Sequence, residues 1–193
     1  MSQQWILEGA VKDKQSITSD WQFTNQKLID GVKVKEVRNV AKENGTLTEI
    51  FRKDWNLDLG TVEQVFQVTL FPGGLSAWHA HEFTTDRLFV NQGVIKVVLY
   101  DAIRNSPTYG YINEFRLGSM RPGLIVVPPG IWHGVQNISN EVSSLLNIVD
   151  QAYNYDDPDH WRLPSDSSQI PYVFKTNRTV SNPVGMNGQK AMI

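Results

Sequence analysis

The chain has 193 residues, four histidines, no cysteine and a formal net charge of −2. Without cysteine, disulfides, zinc ribbons, iron–sulfur clusters and thiol nucleophiles are excluded. A near-neutral charge of mixed sign argues against nucleic-acid binding, which needs a concentrated basic surface. No apolar run approaches the roughly 18 residues of a membrane span, and the opening Met-Ser-Gln-Gln is not a basic-then-apolar leader. The expectation is one cytoplasmic domain over 1–193, with its core at about 30–172 and a polar tail at 175–193.

The strand signal dominates in chain order. Residues 32–37 mostly alternate, and 62–71 place Phe66, Val68 and Leu70 on one face. Leu88–Val90, Val94–Tyr100, Leu124–Val127 and Leu145–Val149 are short, apolar and rich in β-branched residues. Turn sequences separate them: 72–74, 91–93, 121–123 and 128–130, each with glycine. Asn44-Gly45 is suited to closing a hairpin. Short strands so punctuated predict an all-β sandwich or barrel. Helices should be few and short, the one weak case lying near 14–28. The segment 150–172, rich in Tyr, Asp and Pro, reads as an ordered loop crossing the body of the domain.

The histidines carry the chemical information. In a strand, His79 and His81 point to one face, where two imidazoles suit a single metal ion or a single catalytic pocket. Asp86, Gly93, Gly123, Pro128, Gly130, His133 and Asn137 follow. His160, beside Asp159 and Trp161, is read as a structural or surface histidine. Trp78 and Trp132, strand neighbours of inward-facing histidines, should face away and pack.

This pattern resembles the two-part cupin signature. Its first part is Gly74, His79-Ala80-His81, Asp86 and Gly93, with Asp86 in place of the usual glutamate; its second is Gly123, Pro128-Pro129-Gly130, His133 and Asn137. The resemblance implies a cupin double-stranded β-helix, a jelly-roll barrel. Over about 30–172 the chain further resembles the dTDP-4-dehydrorhamnose 3,5-epimerases and dTDP-sugar isomerases. That likeness rests on Gly45 and Glu49, on 106–110 (Ser-Pro-Thr-Tyr-Gly), on 127–134 and on 153–172.

The resemblance implies an epimerase or keto-isomerase acting on a nucleotide-linked, dTDP-like 4-keto-6-deoxy sugar, working without a cofactor and as a homodimer. His79 would be the base beside the ketone. Tyr153 would be the acid on the opposite face, with Tyr155 its close competitor, and His133 would support the enolate oxygen. His81, Arg87, Tyr155 and Arg121 would bind substrate, the arginines because guanidinium groups hold phosphate bidentately. The family's lysine falls at Asp86, its strand arginine at Phe89, and its late Leu-Ser-x-Lys-Asp motif, whose aspartate orients the base, has no counterpart. The His-x-His pair suits the related 3,4-ketoisomerases better.

Two alternatives stand beside this. His79, His81, Asp86 and His133 supply three nitrogens and one oxygen, a donor set for a divalent transition metal (Fe, Zn, Mn or Ni), and hence for a metal-dependent cupin enzyme acting on another small molecule. The other alternative is a non-catalytic sugar- or small-molecule-binding cupin. In each case the partner is a small molecule, with no nucleic acid and no membrane.

Overall fold

A computed structural model describes residues 5–13, 15, 17, 19, 27–57 and 60–175. Most of the weak helical stretch at 14–28, and the tail beyond residue 175, lie outside the described residues. The strands are β1 (Lys33–Glu36), β2 (Asn39–Lys42), β3 (Gly45–Thr48), β4 (Gln64–Leu70), β5 (Leu75–Ala80), β6 (Asp86–Gln92), β7 (Val94–Asp101), β8 (Ile112–Gly118), β9 (Gly123–Val127), β10 (Ile131–Asn137), β11 (Ser143–Val149) and β12 (Trp161–Arg162). A 3₁₀ turn at Lys53–Trp55 is the only helical element among the described residues.

The expected all-β jelly roll is what forms. One five-stranded sheet runs β1-β9-β6-β11-β4 and the other β12-β5-β10-β7-β8, both fully antiparallel; β2 and β3 make a hairpin near Asn44-Gly45, but its turn is Glu43-Asn44, with Gly45 opening β3 opposite Lys42. Chain neighbours are rarely sheet neighbours, so the chain crosses repeatedly between the two layers and closes a barrel.

Alternation along the strands sorts the side chains. On β7, Ile95, Val97 and Leu99 point inward and join Leu88, Phe115, Ile125, Val127 and Leu145 between the sheets. Val98 and Tyr100, on the opposite face, join Trp78, Ile170 and Phe174 in a second cluster. That outer cluster is covered by the chain after β12, so 150–172 does cross the body, contributing an edge strand and a lid over one sheet. Trp78 is fully buried there and Trp132 packs against it, both facing away from the histidines as expected.

One irregularity shapes the site. Between β5 and β10, His133 pairs with His79, but Val135 pairs with Ser76, so β5 carries an extra residue. This β-bulge puts Ser76 and His79, three apart in sequence, on the same inner face. Gly134 opposes the bulge: a Cβ there would lie 2.5 Å from Ala77 Cβ and 2.9 Å from Phe174 Cζ. Asn137 fixes the turn beyond β10 by donating to the carbonyls of Leu70, Phe71 and Glu141. No described helix is long and apolar enough to cross a membrane.

Candidate active site

Toward one end of the barrel the inward positions stop being aliphatic. Ser76 and His79 of β5, Asp86 of β6, His133 of β10 and Asn147 of β11 line a cavity of about 440 Å³ together with His81. Phe66, Val68, Leu88, Val135, Leu145 and Val149 form its apolar wall, while Tyr153, Asp159 and His160 arrive from the loop after β11. A volume of this size suits a ligand larger than a single hexose ring.

The structure brings His79, His81, Asp86, His133 and Tyr153 to this one cavity. Asp86 sits at its base, 2% exposed, and its Oδ1 accepts a hydrogen bond from Asn147 Nδ2 at 2.8 Å. Its Oδ2 lies 3.1 Å from His133 Nε2 and 3.3 Å from His81 Nε2, at ion-pair distance but without the alignment of an ordinary hydrogen bond. On the far side of each ring, His81 Nδ1 meets the carbonyl of Asp159 at 2.5 Å and His133 Nδ1 that of Ile131 at 3.2 Å. A carbonyl only accepts, so both Nδ1 atoms carry the proton and both Nε2 atoms face the carboxylate.

The electrostatics follow from burial and from this carboxylate. Burial opposes charging Asp86, but His133 and His81 outweigh it and hold its carboxyl well below the usual range. Burial also opposes charging His81, yet Asp86 and the Asp159 carbonyl raise its pKa above the ordinary imidazole value. Among the described residues, no carboxylate acts to raise the pKa of His79. Burial first, then His133, His160, Arg162 and His81, push it down to about 3, so it is neutral at physiological pH.

Several expectations need correction. The four-member metal set does not assemble: ligand atoms of His81, Asp86 and His133 lie within 4.8 Å of one another, whereas His79 is turned to Ser76 and His160. Arg87 follows inward-facing Asp86 on β6 and therefore points through the opposite face of the sheet, fully buried under the Phe51 ring and hydrogen-bonded to the Ile148 carbonyl. Arg121 lies on the surface turn before β9, paired with Glu36 at 3.2 Å. Tyr155 is 85% exposed and packs edge-on against Tyr153 rather than lining the cavity.

His160, read as structural or exposed, is a cavity residue. Its Nε2 is 2.5 Å from His79 Nδ1, and its ring lies 4.8 Å from that of His79 and 5.1 Å from that of His81. Nothing near it in sequence signals this, because the contact depends on β12 returning to the edge of β5, with Arg162 opposite His79. The adjacent Asp159 was the available clue. Its carboxylate accepts from the backbone N–H groups of Glu82, Phe83 and Thr84 and from the Thr84 hydroxyl, which pins the loop to the turn after His81.

Residues 26–182 match the family described as dTDP-4-dehydrorhamnose 3,5-epimerase. Over 139 residues the chain is 36% identical to a probable low-salt glycan biosynthesis epimerase of Haloferax volcanii, covering 72% of this chain and 89% of that one. It is 33% identical over 149 residues to the spore coat polysaccharide biosynthesis protein SpsL of Bacillus subtilis, covering 77% of this chain and 98% of that one. The crystal structure of a dTDP sugar isomerase from Desulfovibrio desulfuricans superimposes with a TM-score of 0.69 at 26% identity, over 75% of this chain and 90% of that one. A match that spans the barrel, its histidine cavity and the returning loop places the chain in the dTDP-4-dehydrorhamnose 3,5-epimerase family, whose members are isomerase-class enzymes.

Proposed function

We propose that the chain epimerises or keto-isomerises a nucleotide-linked 4-keto-6-deoxy sugar by removing and returning a proton next to the ketone. The observation that carries this reading is a neutral, half-buried His79 lining the same cavity as Tyr153. The hydrogen next to a ketone is removed by a neutral base, and the electron pair moves into an enolate. By itself His79 is a weak base because burial and neighbouring imidazoles disfavour its charge. A developing enolate beside it would reverse that balance, since an opposite charge nearby favours the protonated form.

His81, whose pKa is raised, would support the enolate oxygen once protonated, when its Nε2 also carries a hydrogen, and the Tyr153 hydroxyl returns the proton from the loop side. No lysine or arginine lines the cavity among the described residues, and its polar lining includes Gln64, Ser76, Asn147 and Gln151. Homodimer formation belongs to the same proposal, and sedimentation of the full chain tests it. The reaction is tested by deuterium exchange into a dTDP-4-keto-6-deoxy sugar in heavy water. Exchange by the wild type and its loss in His79→Ala are expected; unchanged isomerisation in His79→Ala would overturn the assignment of the base.

A second reading is favoured by one observation. Asp86 Oδ2 is buried without a hydrogen-bond donor, and the Nε2 atoms of His81 and His133 converge on it. The two separations, 3.3 and 3.1 Å, fit ligand pairs on one ion with bonds of about 2.0–2.2 Å. His81, Asp86 and His133 thus fit a divalent transition metal, which when bound would polarise a keto oxygen. Elemental analysis of protein purified without chelator decides: stoichiometric metal lost in Asp86→Ala supports the site, and full activity at near-zero metal rejects a metal enzyme.

A further inference from the structure

We propose that His160 is the positioning residue of the base, holding His79 in the one tautomer whose Nε2 lone pair is free to take the substrate proton. The inference rests on the reading of His79 as the base. Both ring nitrogens of His79 are engaged: Nδ1 with His160 Nε2 at 2.5 Å and Nε2 with Ser76 Oγ at 2.9 Å. A neutral imidazole has one N–H and one lone pair. If Nδ1–H donates to His160, Nε2 keeps its lone pair and accepts from the Ser76 hydroxyl, a light partner that rotates aside when substrate arrives.

Three attachments hold His160 in place. The Asp159 carboxylate caps the turn at 82–84 on one side. On the other, Arg162 pairs with His79, and Trp78 and Leu163 exchange backbone hydrogen bonds at 3.0 and 3.2 Å. The ring is therefore placed by the same edge strand that borders the base. Such scaffolding exceeds what a solvent-facing histidine needs.

The proton accounting is simple. The substrate C–H bond breaks, its electron pair enters the enolate, and the proton forms the Nε2–H bond of His79. His79 keeps its Nδ1–H, which His160 continues to accept. His160 fills the orienting role that the family resemblance gives to an aspartate absent from this chain, but as an uncharged acceptor. It fixes the tautomer and ring angle of the base without adding a negative charge to the cavity.

The test uses the full chain, labelled with nitrogen-15, and reads the histidine tautomers by long-range nitrogen–proton correlations, with His79 assigned from His79→Asn. The expected result is His79 as the Nδ1–H tautomer in the wild type and a mixture in His160→Ala. An Nε2–H tautomer in the wild type, or no change in His160→Ala, overturns the proposal. In the exchange assay, His160→Ala should lower kcat by about 10–100-fold with KM nearly unchanged, the usual cost of losing an orienting partner. His160→Gln, whose amide oxygen can still accept from Nδ1–H, should recover about tenfold of that loss. Equal losses in the two variants would assign His160 to loop anchoring and overturn the proposal. A wild type with the Nδ1–H tautomer but no exchange into the keto sugar would instead overturn the reaction and support the positioning.

Discussion

His81 donates its Nδ1 hydrogen to the carbonyl of Asp159, 2.5 Å away and 78 residues further along the chain. The same aspartate closes the turn after His81 with its carboxylate. One residue thus fixes the tautomer of a cavity histidine and attaches the loop bearing Tyr153 and His160. Asp159→Ala is expected to cost about 1.5–3 kcal/mol, the range for hydrogen bonds to a charged group, and to lower the deuterium exchange rate more than tenfold through the loosened loop. Denaturant midpoints and exchange rates on one preparation check both. Wild-type stability in the variant would show that the capped turn does not hold the loop.

The histidines also predict how stability varies with pH. His79 is held down to about 3 and His160 to about 4, each chiefly by burial, against 6.5 in an unfolded chain. As the pH falls from about 6.5 toward 4, the unfolded chain takes up two protons that the folded form refuses, so stability drops. His81 works in the other direction. Its folded pKa is raised, so its contribution is fully present below about 6.5 and is lost as the pH climbs through the folded value. Asp86 and Asp159, both lowered, add stability that is present above about 4 and lost below it. Melting temperatures should therefore fall between about pH 6 and 4, where His81 is protonated in both states, and His160→Gln should remove about half of that slope. An unchanged slope in that variant would mean that His160 titrates normally.

The strands that the sequence makes legible are those whose inward positions are aliphatic, as in β7 and β9. Strand β8 is missed because inward Asn113, 1% exposed, interrupts its apolar alternation. That asparagine is a tie rather than a solvated residue, since it accepts from Ile29 N–H and donates to the Lys27 carbonyl. Strand β5 is hidden by its bulge, which shifts the inner face from the two-residue period to Ser76 and His79. Local spacing brings out His79, His81 and Asp86, whereas His133, which reaches them through the pairing of β10 with β5, is legible only through the second half of the cupin resemblance. His160 is not legible, because its place depends on pairing between β12 and β5 across some 80 residues. Charge alone marks Arg87 and Arg121 in the sequence, and charge says nothing about the face of the sheet on which a side chain lands.

Gly134 tests the bulge. A methyl group there would lie 2.5 Å from Ala77 Cβ and 2.9 Å from Phe174 Cζ, inside normal contact distances. Relief requires the extra residue of β5 or the outer cluster around Trp78 to move, and His79 moves with β5. Gly134→Ala is expected to destabilise the fold by about 1–3 kcal/mol, the typical cost of overpacking, and to reduce exchange activity beyond what the lost stability explains. Gly134→Ala paired with Phe174→Leu should recover part of the stability but little of the activity. Full recovery of both would place the strain at Phe174 rather than at the bulge.

The two arginines that the family resemblance implies for substrate binding should separate cleanly in experiment. Arg121 is a surface residue paired with Glu36, and such pairs contribute about 0–1 kcal/mol. Arg121→Ala should leave both KM and the melting temperature nearly unchanged. Arg87 is fully enclosed, with its guanidinium 5.6 Å from the Phe51 ring centre and donating to the Ile148 carbonyl. Gly60 is shaped around it, since a Cβ there would lie 2.6 Å from Arg87 Nη2 and 2.9 Å from Asp150 Oδ2. Asp150 in turn accepts from the backbone N–H of Thr85, at the entry to β6. Removing this side chain strips packing and donors from buried acceptors behind the strand that carries Asp86. Arg87→Met is therefore expected to cost about 3–5 kcal/mol, the scale for stranding the partners of a buried cation. Any fall in its activity should follow the folded fraction, with KM for the nucleotide sugar unchanged. A raised KM at full stability would instead place the guanidinium in contact with substrate.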